Sequence, residues 1–367
     1  MSNLNDTLDL VRKALYGTGD GDVIRKAITT ASNLVAFDLQ APAKNLYPVA
    51  TPFRNRLPRV GGGTGTATNW KVIQAILGSG FDAMGWVAEG QRSGAMSYTA
   101  VDKAASYRTL GEEDQITKEA INAAGGFEEA KARMVLRLLQ KMMLKEENAI
   151  AFGNATLALG TCPTPTLSAA GSGATLPALT YSVICVPLTF EGIQMHTVGA
   201  TGITQTKTVT GQDGKTYVLN GGSGQKSAAA TQAITLGQIL SCSVAPVRGA
   251  AGYAWYVGAA GAEKLEKITT LNSTTFSAAL AGTGQLASAL TASDNSTNTL
   301  GFDGLLTWAM NPTSGAYFNA LATGTPGTGT VLTSGGKGNV NEIDAMLLSM
   351  WNNYQVSPSV ILSLIHI

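Results

Sequence analysis

The strongest periodic signal in the chain lies between Gly126 and Gly153, and it constrains the fold more than any other feature. Ala130, Met134, Leu138 and Met142 recur every fourth residue, flanked by Val135, Leu139 and Met143. Lys131, Arg133, Arg137, Lys141 and Lys145 take much of the remaining surface. The spacing predicts one helix over 127–152, about 39 Å long at 1.5 Å per residue. Glu128 and Glu129 suit its positive end, whereas Glu146 and Glu147 oppose the dipole at the other. Gly153-Asn154 is expected to stop it as a left-handed C-cap.

Upstream, little is able to build a core of its own. Leu4, Leu8, Val11 and Leu15 recur at helical spacing before the Gly17–Gly21 stretch, which reads as a short arm needing a partner surface. From Pro52 the chain turns basic, with Arg54, Arg56 and Arg59, and then Gly-rich at Gly61–Gly63. Trp70-Lys71-Val72-Ile73 reads as a strand, and Gly78, Gly80, Gly85, Gly90 and Gly94 punctuate the stretch after it. The segment up to Tyr107 is therefore expected to be an extended hairpin-like excursion. Trp70, Phe81 and Trp86 on such an excursion must bury against something, and another subunit is the simplest candidate.

Downstream the pattern changes to Thr, Ser, Gly, Ala and Val. Short β-type runs fall at Tyr181–Leu188, Lys207–Thr210, Thr216–Leu219, Ile234–Ser243, Tyr253–Val257 and Ile268–Phe276, with Asp213-Gly214 as a hairpin turn. About six closely spaced strands describe a compact all-β sandwich. Thr161–Thr175 and Ala278–Thr299 read as low-complexity linkers on either side of it. Helical character returns at the end: Asn339 is the expected N-cap, with Glu342 as its capping-box partner, before the apolar Ile343, Met346, Leu347, Met350 and Trp351. Val360-Ile361-Leu362 is expected to begin a buried strand with no room to finish, which suggests a truncated chain. The terminal Leu362-Ser363-Leu364-Ile365-His366-Ile367 matches what a transposon end used in sequencing-library preparation encodes, so His366 carries no functional weight.

Composition narrows the function classes. At 367 residues the chain has room for two to three domains, and its 13% charged content with 43 Gly describes a fold rich in turns and loops. A net charge of +1 creates no global field toward nucleic acid or an anionic membrane, and no stretch reaches membrane-spanning length. The N-terminus, with Asp6 and Asp9, has no secretory leader pattern, so the sequons at Asn154, Asn272 and Asn295 lose their meaning. Cys162, Cys185 and Cys242 lack C-x-x-C spacing and read as reduced buried thiols.

No catalytic constellation emerges. His196 stands alone on a β-type segment. Gly224-Gln225-Lys226-Ser227 and Gly335-Gly336-Lys337-Gly338 each miss a required position of a phosphate-binding loop. The clusters Glu112-Glu113-Asp114 and Glu146-Glu147 read as solvated faces or ion pairs, and the basic stripe of the long helix reads as solvated, with phosphate contacts as its functional alternative. Tyr253, Trp255 and Tyr256 would stack on sugar if exposed, which leaves an enzyme with a carbohydrate-binding sandwich as a minor class.

The order of segments resembles the tailed-bacteriophage major capsid proteins of the Hong Kong phage type. Three phrases carry the likeness. Glu146-Glu147-Asn148-Ala149-Ile150-Ala151-Phe152-Gly153-Asn154 is similar to the end of the family's spine helix. Gly301-Phe302-Asp303-Gly304-Leu305-Leu306 is similar to the phrase that comes shortly after that helix. Asn341-Glu342-Ile343-Asp344-Ala345-Met346 through Val356-Ser357-Pro358-Ser359-Val360-Ile361 is similar to the axial-domain helix and the strand after it. Residues 155–301 interrupt the pattern where many relatives have a short connection. The run Val247-Arg248-Gly249-Ala250-Ala251-Gly252-Tyr253-Ala254-Trp255-Tyr256-Val257, with Thr269, Thr270 and Phe276, is similar to immunoglobulin-like or fibronectin type III modules.

The resemblance covers about 1–160 and 290–362. It implies an α+β capsid shell fold: an N-terminal arm over 1–50, an extended loop and peripheral domain over 51–160, an inserted immunoglobulin-like sandwich over 161–290 and an incomplete axial domain over 291–367. It implies a non-enzymatic virion protein without cofactor or metal, made in the host cytoplasm, whose hexamers and pentamers enclose double-stranded DNA held non-specifically. Scaffolding, portal and decoration proteins are the implied partners, with no membrane. The alternative reading is another virion component, a tail-tube or decoration protein. Arg54, Arg56, Arg59, Trp86, Glu89 and Arg92 are the inter-subunit contact candidates.

Overall fold

The computed structural model describes residues 50–61, 65–77, 86–92, 94–125 and 129–361. The arm segment around Leu4–Leu15, Phe81, Gly62, Gly63 and the six terminal residues lie outside them. The fold is α+β: six α-helices and several antiparallel sheets among the described residues. They fall into two units, one containing 114–137 and the other 50–113 with 138–361.

In the first unit α2 (Lys118–Ala123) is capped by Thr117, whose Oγ1 accepts the Ala120 N–H at 3.2 Å. The long helix α3 (Ala130–Phe152) starts in this unit and continues into the second.

The second unit begins with α1 (Pro52–Arg56), Pro52 occupying the first helical turn where its missing N–H costs nothing. Strands β1 (Ala67–Leu77) and β2 (Ser97–Ser106) then pair antiparallel, from Ala67 opposite Ser106 to Leu77 opposite Ser97, with a bulge at Gln74. This is a two-stranded ribbon with no third strand among the described residues. Val72 and Ile73, and again Ile76 and Leu77, are consecutive, so apolar side chains project from both faces, and all four are exposed.

The β-rich segment holds nine strands, seven of them in a sandwich; two of the six runs expected in that sandwich, Lys207–Thr210 and Thr216–Leu219, pair with each other in a separate hairpin. Its four-stranded sheet has the order β10 (Lys264–Thr269), β9 (Gly252–Gly258), β4 (Leu179–Leu188), β7 (Ala230–Ile234). The facing sheet has the order β11 (Ser273–Phe276), β8 (Ile239–Ser243), β3 (Thr166–Ala170). Tyr253, Trp255 and Val257 of β9 point between the sheets, where they meet Val183, Cys185, Leu240, Cys242 and Phe276. Ala254 and Tyr256 point the other way, into a second core with Leu188, Ile203, Leu265, Ala287 and Leu290. A central strand with both faces covered has no room for the polar alternation of a solvent-facing one.

That second core overturns the expected linker over Ala278–Thr299. The Leu265 N–H donates to Gln285 O and the Ala287 N–H to Glu263 O, so this stretch runs along the sheet edge and packs against it. The other expected linker, Thr161–Thr175, contains β3 and the buried Cys162. Two expected strands divide for a visible reason. Ile234–Ser243 breaks at a turn where Gly237 has φ +93°, and Ile268–Phe276 breaks between Thr269 and Ser273. The hairpin of β5 (Thr206–Thr210) and β6 (Thr216–Asn220) turns at Asp213-Gly214 as expected, Gly214 having φ +74°.

The entry and exit of this segment lie side by side. The Asn298 N–H donates to Asn154 O at 2.7 Å, Asn154 Nδ2 donates to Ser296 O at 3.0 Å, and the Leu159 N–H donates to Ser296 Oγ at 3.0 Å. Asp303 Oδ1 accepts the N–H groups of Ala155 and Thr156 at 2.7 and 2.9 Å. The end of α3 therefore differs from expectation. Gly153 is not left-handed; a Cβ there would sit 2.5 Å from Phe302 O and 2.7 Å from Ala149 O, so glycine is required by close backbone approach. Its carbonyl accepts from the Gly304 N–H at 2.8 Å and from Thr307 Oγ1 at 2.7 Å, which caps α3 with the start of α5 (Leu305–Met310).

Beyond α5, Arg248 Nε donates to Met310 O and its guanidinium lies 4.7 Å over the Phe318 ring, while Asn272 Nδ2 donates to Thr323 Oγ1 and the Gly327 N–H to Ser273 Oγ. Residues 310–327 are thus strapped to the sandwich. The Gly335–Gly338 run is a small hairpin between β12 (Ser334–Gly336) and β13 (Asn339–Val340). The last helix, α6, spans Asn341–Tyr354. Asn339 is not its cap: Val340 holds that position, and the Glu342 carboxylate takes the Thr333 N–H instead. Val360 and Ile361 are exposed and belong to no strand among the described residues, against the expected buried strand.

Candidate functional site

The acidic end of α3, which opposed its own dipole, has a local purpose. The N–H groups of Phe53 and Arg54 donate to the two oxygens of Glu147 at 2.9 and 2.7 Å, and Arg54 Nε donates to Glu146 Oε2 at 2.6 Å. Arg59 Nη2 donates to the other Glu146 oxygen. Glu147 thereby satisfies orphan amides at the start of α1, and Glu146 gathers two guanidiniums. Burial acts to raise the Glu146 carboxyl, but the hydrogen bonds from Arg54 and Arg59 outweigh it and hold it below its ordinary value. Of the candidate arginines, Arg54 and Arg59 are thus engaged within the chain, while Arg56 is exposed.

The other acidic cluster is divided among separate contacts. Lys145 Nζ donates to Glu112, the hydrogen bond that holds this carboxyl below its ordinary value, and Gln212 Nε2 lies 3.5 Å from Glu113.

Beside these contacts lies a groove of about 550 Å³. Its apolar floor comes from Leu139, Met142, Met143 and Ile150 of α3 together with Leu300 and Phe302. Arg108 and Leu110, just beyond the end of β2, form one rim, and Glu191 of α4 (Phe190–Met195) forms another. Three features place Glu191. Thr189 Oγ1 accepts the Gly192 N–H at 3.1 Å, Phe190 stacks on Phe152 with ring centroids 5.0 Å apart, and Gly192 lies too close to Gly222 O for any Cβ. Burial pushes the Glu191 carboxyl above its ordinary value. Glu191 has no hydrogen-bond or ion-pair partner among the described residues, and Arg108 has none either.

The remaining candidates stand at the far end of the ribbon. Trp86 is 93% exposed, and Glu89 and Arg92 are exposed close by. The structure therefore does not gather the six candidates into one place: Arg54, Arg56 and Arg59 belong to α1 and the segment after it, and Trp86, Glu89 and Arg92 to the excursion.

The features with chemical potential elsewhere have structural explanations. His196 is buried with Nε2 2.8 Å from Gly221 O; burial lowers its pKa, and the bond to that carbonyl offsets part of this. Lys226 Nζ donates to the carbonyls of Ala287 and Leu290 at 2.9 Å each, tying the second core to its edge segment. The three cysteines are free and buried, and burial pushes Cys242 up to about 12. Tyr253, Trp255 and Tyr256 are buried, so the aromatic platform for sugar does not exist on this strand. Among the described residues no cluster of His, Cys, Asp or Glu is arranged to hold a metal ion, and no helix is long and apolar enough to cross a membrane.

Sequence reasoning missed the groove. Phe302 lies inside one of the capsid-like phrases, but nothing in the sequence marked Glu191, whose importance depends on where α4 places it.

No protein-family model, curated protein or solved structure matches the chain.

Proposed function

We propose that the chain is a structural shell subunit, the major capsid protein of a tailed bacteriophage, assembling into an icosahedral head around double-stranded DNA. In this reading residues 161–290 are an immunoglobulin-like domain inserted after the spine helix and carried on the exterior. The observation that carries the proposal is the β1–β2 ribbon: about 35 Å long at roughly 3.4 Å per residue, apolar on both faces and exposed throughout both strands, apart from half-buried Ala67 at its base. An isolated two-stranded hairpin is marginal in water and needs further packing to persist. Identical neighbours supply that packing in a symmetric shell, where modest contacts repeat and close on one another.

Two further features support the reading. Gly153-Asn154 and Gly301–Gly304, far apart in sequence, are hydrogen-bonded neighbours, as the two ends of an insertion must be. Tyr253, at the start of β9, accepts the Val247 N–H on its hydroxyl at 2.9 Å, the relation that a tyrosine corner makes in immunoglobulin-like sandwiches.

The test is expression of the full chain, followed by sedimentation and negative-stain electron microscopy. Closed shells are expected; tubes or discrete monomers at all concentrations would contradict the proposal.

A further inference from the structure

We infer that the sandwich positions α6. Arg248, Asn272 and Ser273 clamp residues 310–327 onto the sandwich, and that clamped segment holds the last helix, to which the sandwich itself makes no hydrogen bond among the described residues. All of these residues belong to the second unit. The inference stands apart from the shell reading and goes beyond it: residues 161–290 orient a part of the chain that comes after them, so they are no detachable appendage.

α6 has no packing with which to orient itself. It has 14 residues, none of them buried, and Leu348, Trp351 and Tyr354 are exposed. A helix of about that length is marginal in water unless something else holds it. Two ties do so. At its first turn the Glu342 carboxylate accepts the Thr333 N–H, and the Asn341 N–H donates to Thr333 O at 3.0 Å. At its last residue the Tyr354 hydroxyl donates to Gly315 O at 2.7 Å. Gly315 is shaped to this contact: it has φ +74°, and a Cβ there would collide with the Tyr354 hydroxyl.

Both ties end on residues 311–333, which form neither helix nor strand. Without a backbone ladder of its own, this stretch takes its course from the sandwich at three points. Arg248, between β8 and β9, donates from Nε to Met310 O and lays its guanidinium 4.7 Å over the Phe318 ring. Asn272, between β10 and β11, donates from Nδ2 to Val244 O and to Thr323 Oγ1, each at 2.7 Å, so one amide serves the sandwich and the strap together. Ser273 is fully buried and accepts the Gly327 N–H on Oγ at 3.0 Å. Gly315 lies in sequence between Met310 and Phe318, the two contacts of Arg248. The loop that Arg248 closes is therefore the loop that anchors the end of α6.

This order of dependence is testable by hydrogen exchange on the unassembled full-length chain. Arg248→Ala removes a hydrogen bond from a charged donor and is expected to speed exchange in the C-terminal half of α6 by about tenfold or more, while β8 and β9 keep their protection. Phe318→Ala changes an exposed ring on the strap and no residue of the sandwich, and it should act in the same direction by a smaller factor. Tyr354→Phe should free α6 and leave the strap's contacts with the sandwich in place.

A second measurement reads orientation directly. Spin labels at Ser168→Cys, exposed on β3, and Asn352→Cys, exposed on α6, are introduced in chains diluted with unlabelled ones; the native cysteines are buried. Dipolar spectroscopy should give one narrow distance distribution in the otherwise wild-type chain and a broad one after Arg248→Ala or Phe318→Ala. If Arg248→Ala also strips β9 of its protection, Phe318→Ala decides the matter. A broad distribution without either substitution would overturn the inference, as would α6 exchange and distances unchanged in Phe318→Ala and in a folded Arg248→Ala chain. Neither result depends on whether shells form, so the shell reading stands or fails separately.

Discussion

Trp255 and Trp86 belong to the same chain and meet opposite fates. Trp255 is fully buried between two sheets and donates its indole N–H to Thr269 Oγ1 at 2.9 Å; Trp86 is 93% exposed at the end of a ribbon. The sandwich encloses its aromatic residues on both sides of β9, whereas the ribbon and the middle of α3 leave Trp70, Ile73, Ile76, Val135 and Leu139 at the surface. An apolar residue stabilises whichever state removes it from water. For the sandwich that state is the folded chain; for the ribbon, in the shell reading, it is the assembly.

The sharpest way to break this contrast is to truncate both tryptophans. Trp255→Ala should cost about 3–5 kcal/mol of folding stability, as large core truncations do, read by urea denaturation. Trp86→Ala should stay within about 0.5 kcal/mol of wild type while impairing assembly. A large stability loss at Trp86 would mean that it packs on its own chain.

Next in size is the junction where the sandwich leaves and rejoins the helix. Gly153→Ala places a methyl group against two backbone oxygens that have little freedom to retreat, and about 1–3 kcal/mol of destabilisation is expected from such overpacking. Thermal unfolding of the unassembled chain checks it, and an unchanged melting temperature would remove the close-approach explanation for this glycine.

The smallest effect belongs to Glu146. Its folded pKa lies below the unfolded value near 4.5, so the stability it contributes is present above that pH and disappears as pH falls through the folded value. Glu146→Gln should therefore lower stability at pH 7 by roughly 0–1 kcal/mol, the range for partly exposed ion pairs. The difference should vanish at low pH. A difference that grew on acidification would have the wrong sign.

How much of this was legible in the sequence depended on the range of the interaction. The body of α3 could be read from a four-residue apolar repeat, and the β5–β6 hairpin from Asp213-Gly214, because local chemistry decides both. The linkers could not: Ala287 and Leu290 sit in a stretch of small polar residues and acquire their importance from Tyr256 and Leu265, remote in sequence but adjacent across the second core. Gly153 read correctly as a terminator for the wrong reason, since the backbone of Phe302 that excludes a side chain arrives from beyond the β-rich segment, about 150 residues later in the chain. The ribbon's exposure was anticipated from its glycines and unsupported aromatics. The groove was not, because Arg108, Met143, Glu191 and Phe302 converge only in three dimensions.

Hydrogen exchange on the full-length chain, compared before and after assembly, tests the central contrast most directly. Amides of β9 should be protected in both states, while those of β1, β2 and residues 86–92 should gain protection only on assembly. Ribbon amides already as protected as β9 in the lone subunit, or unchanged in assembled particles, would contradict the account.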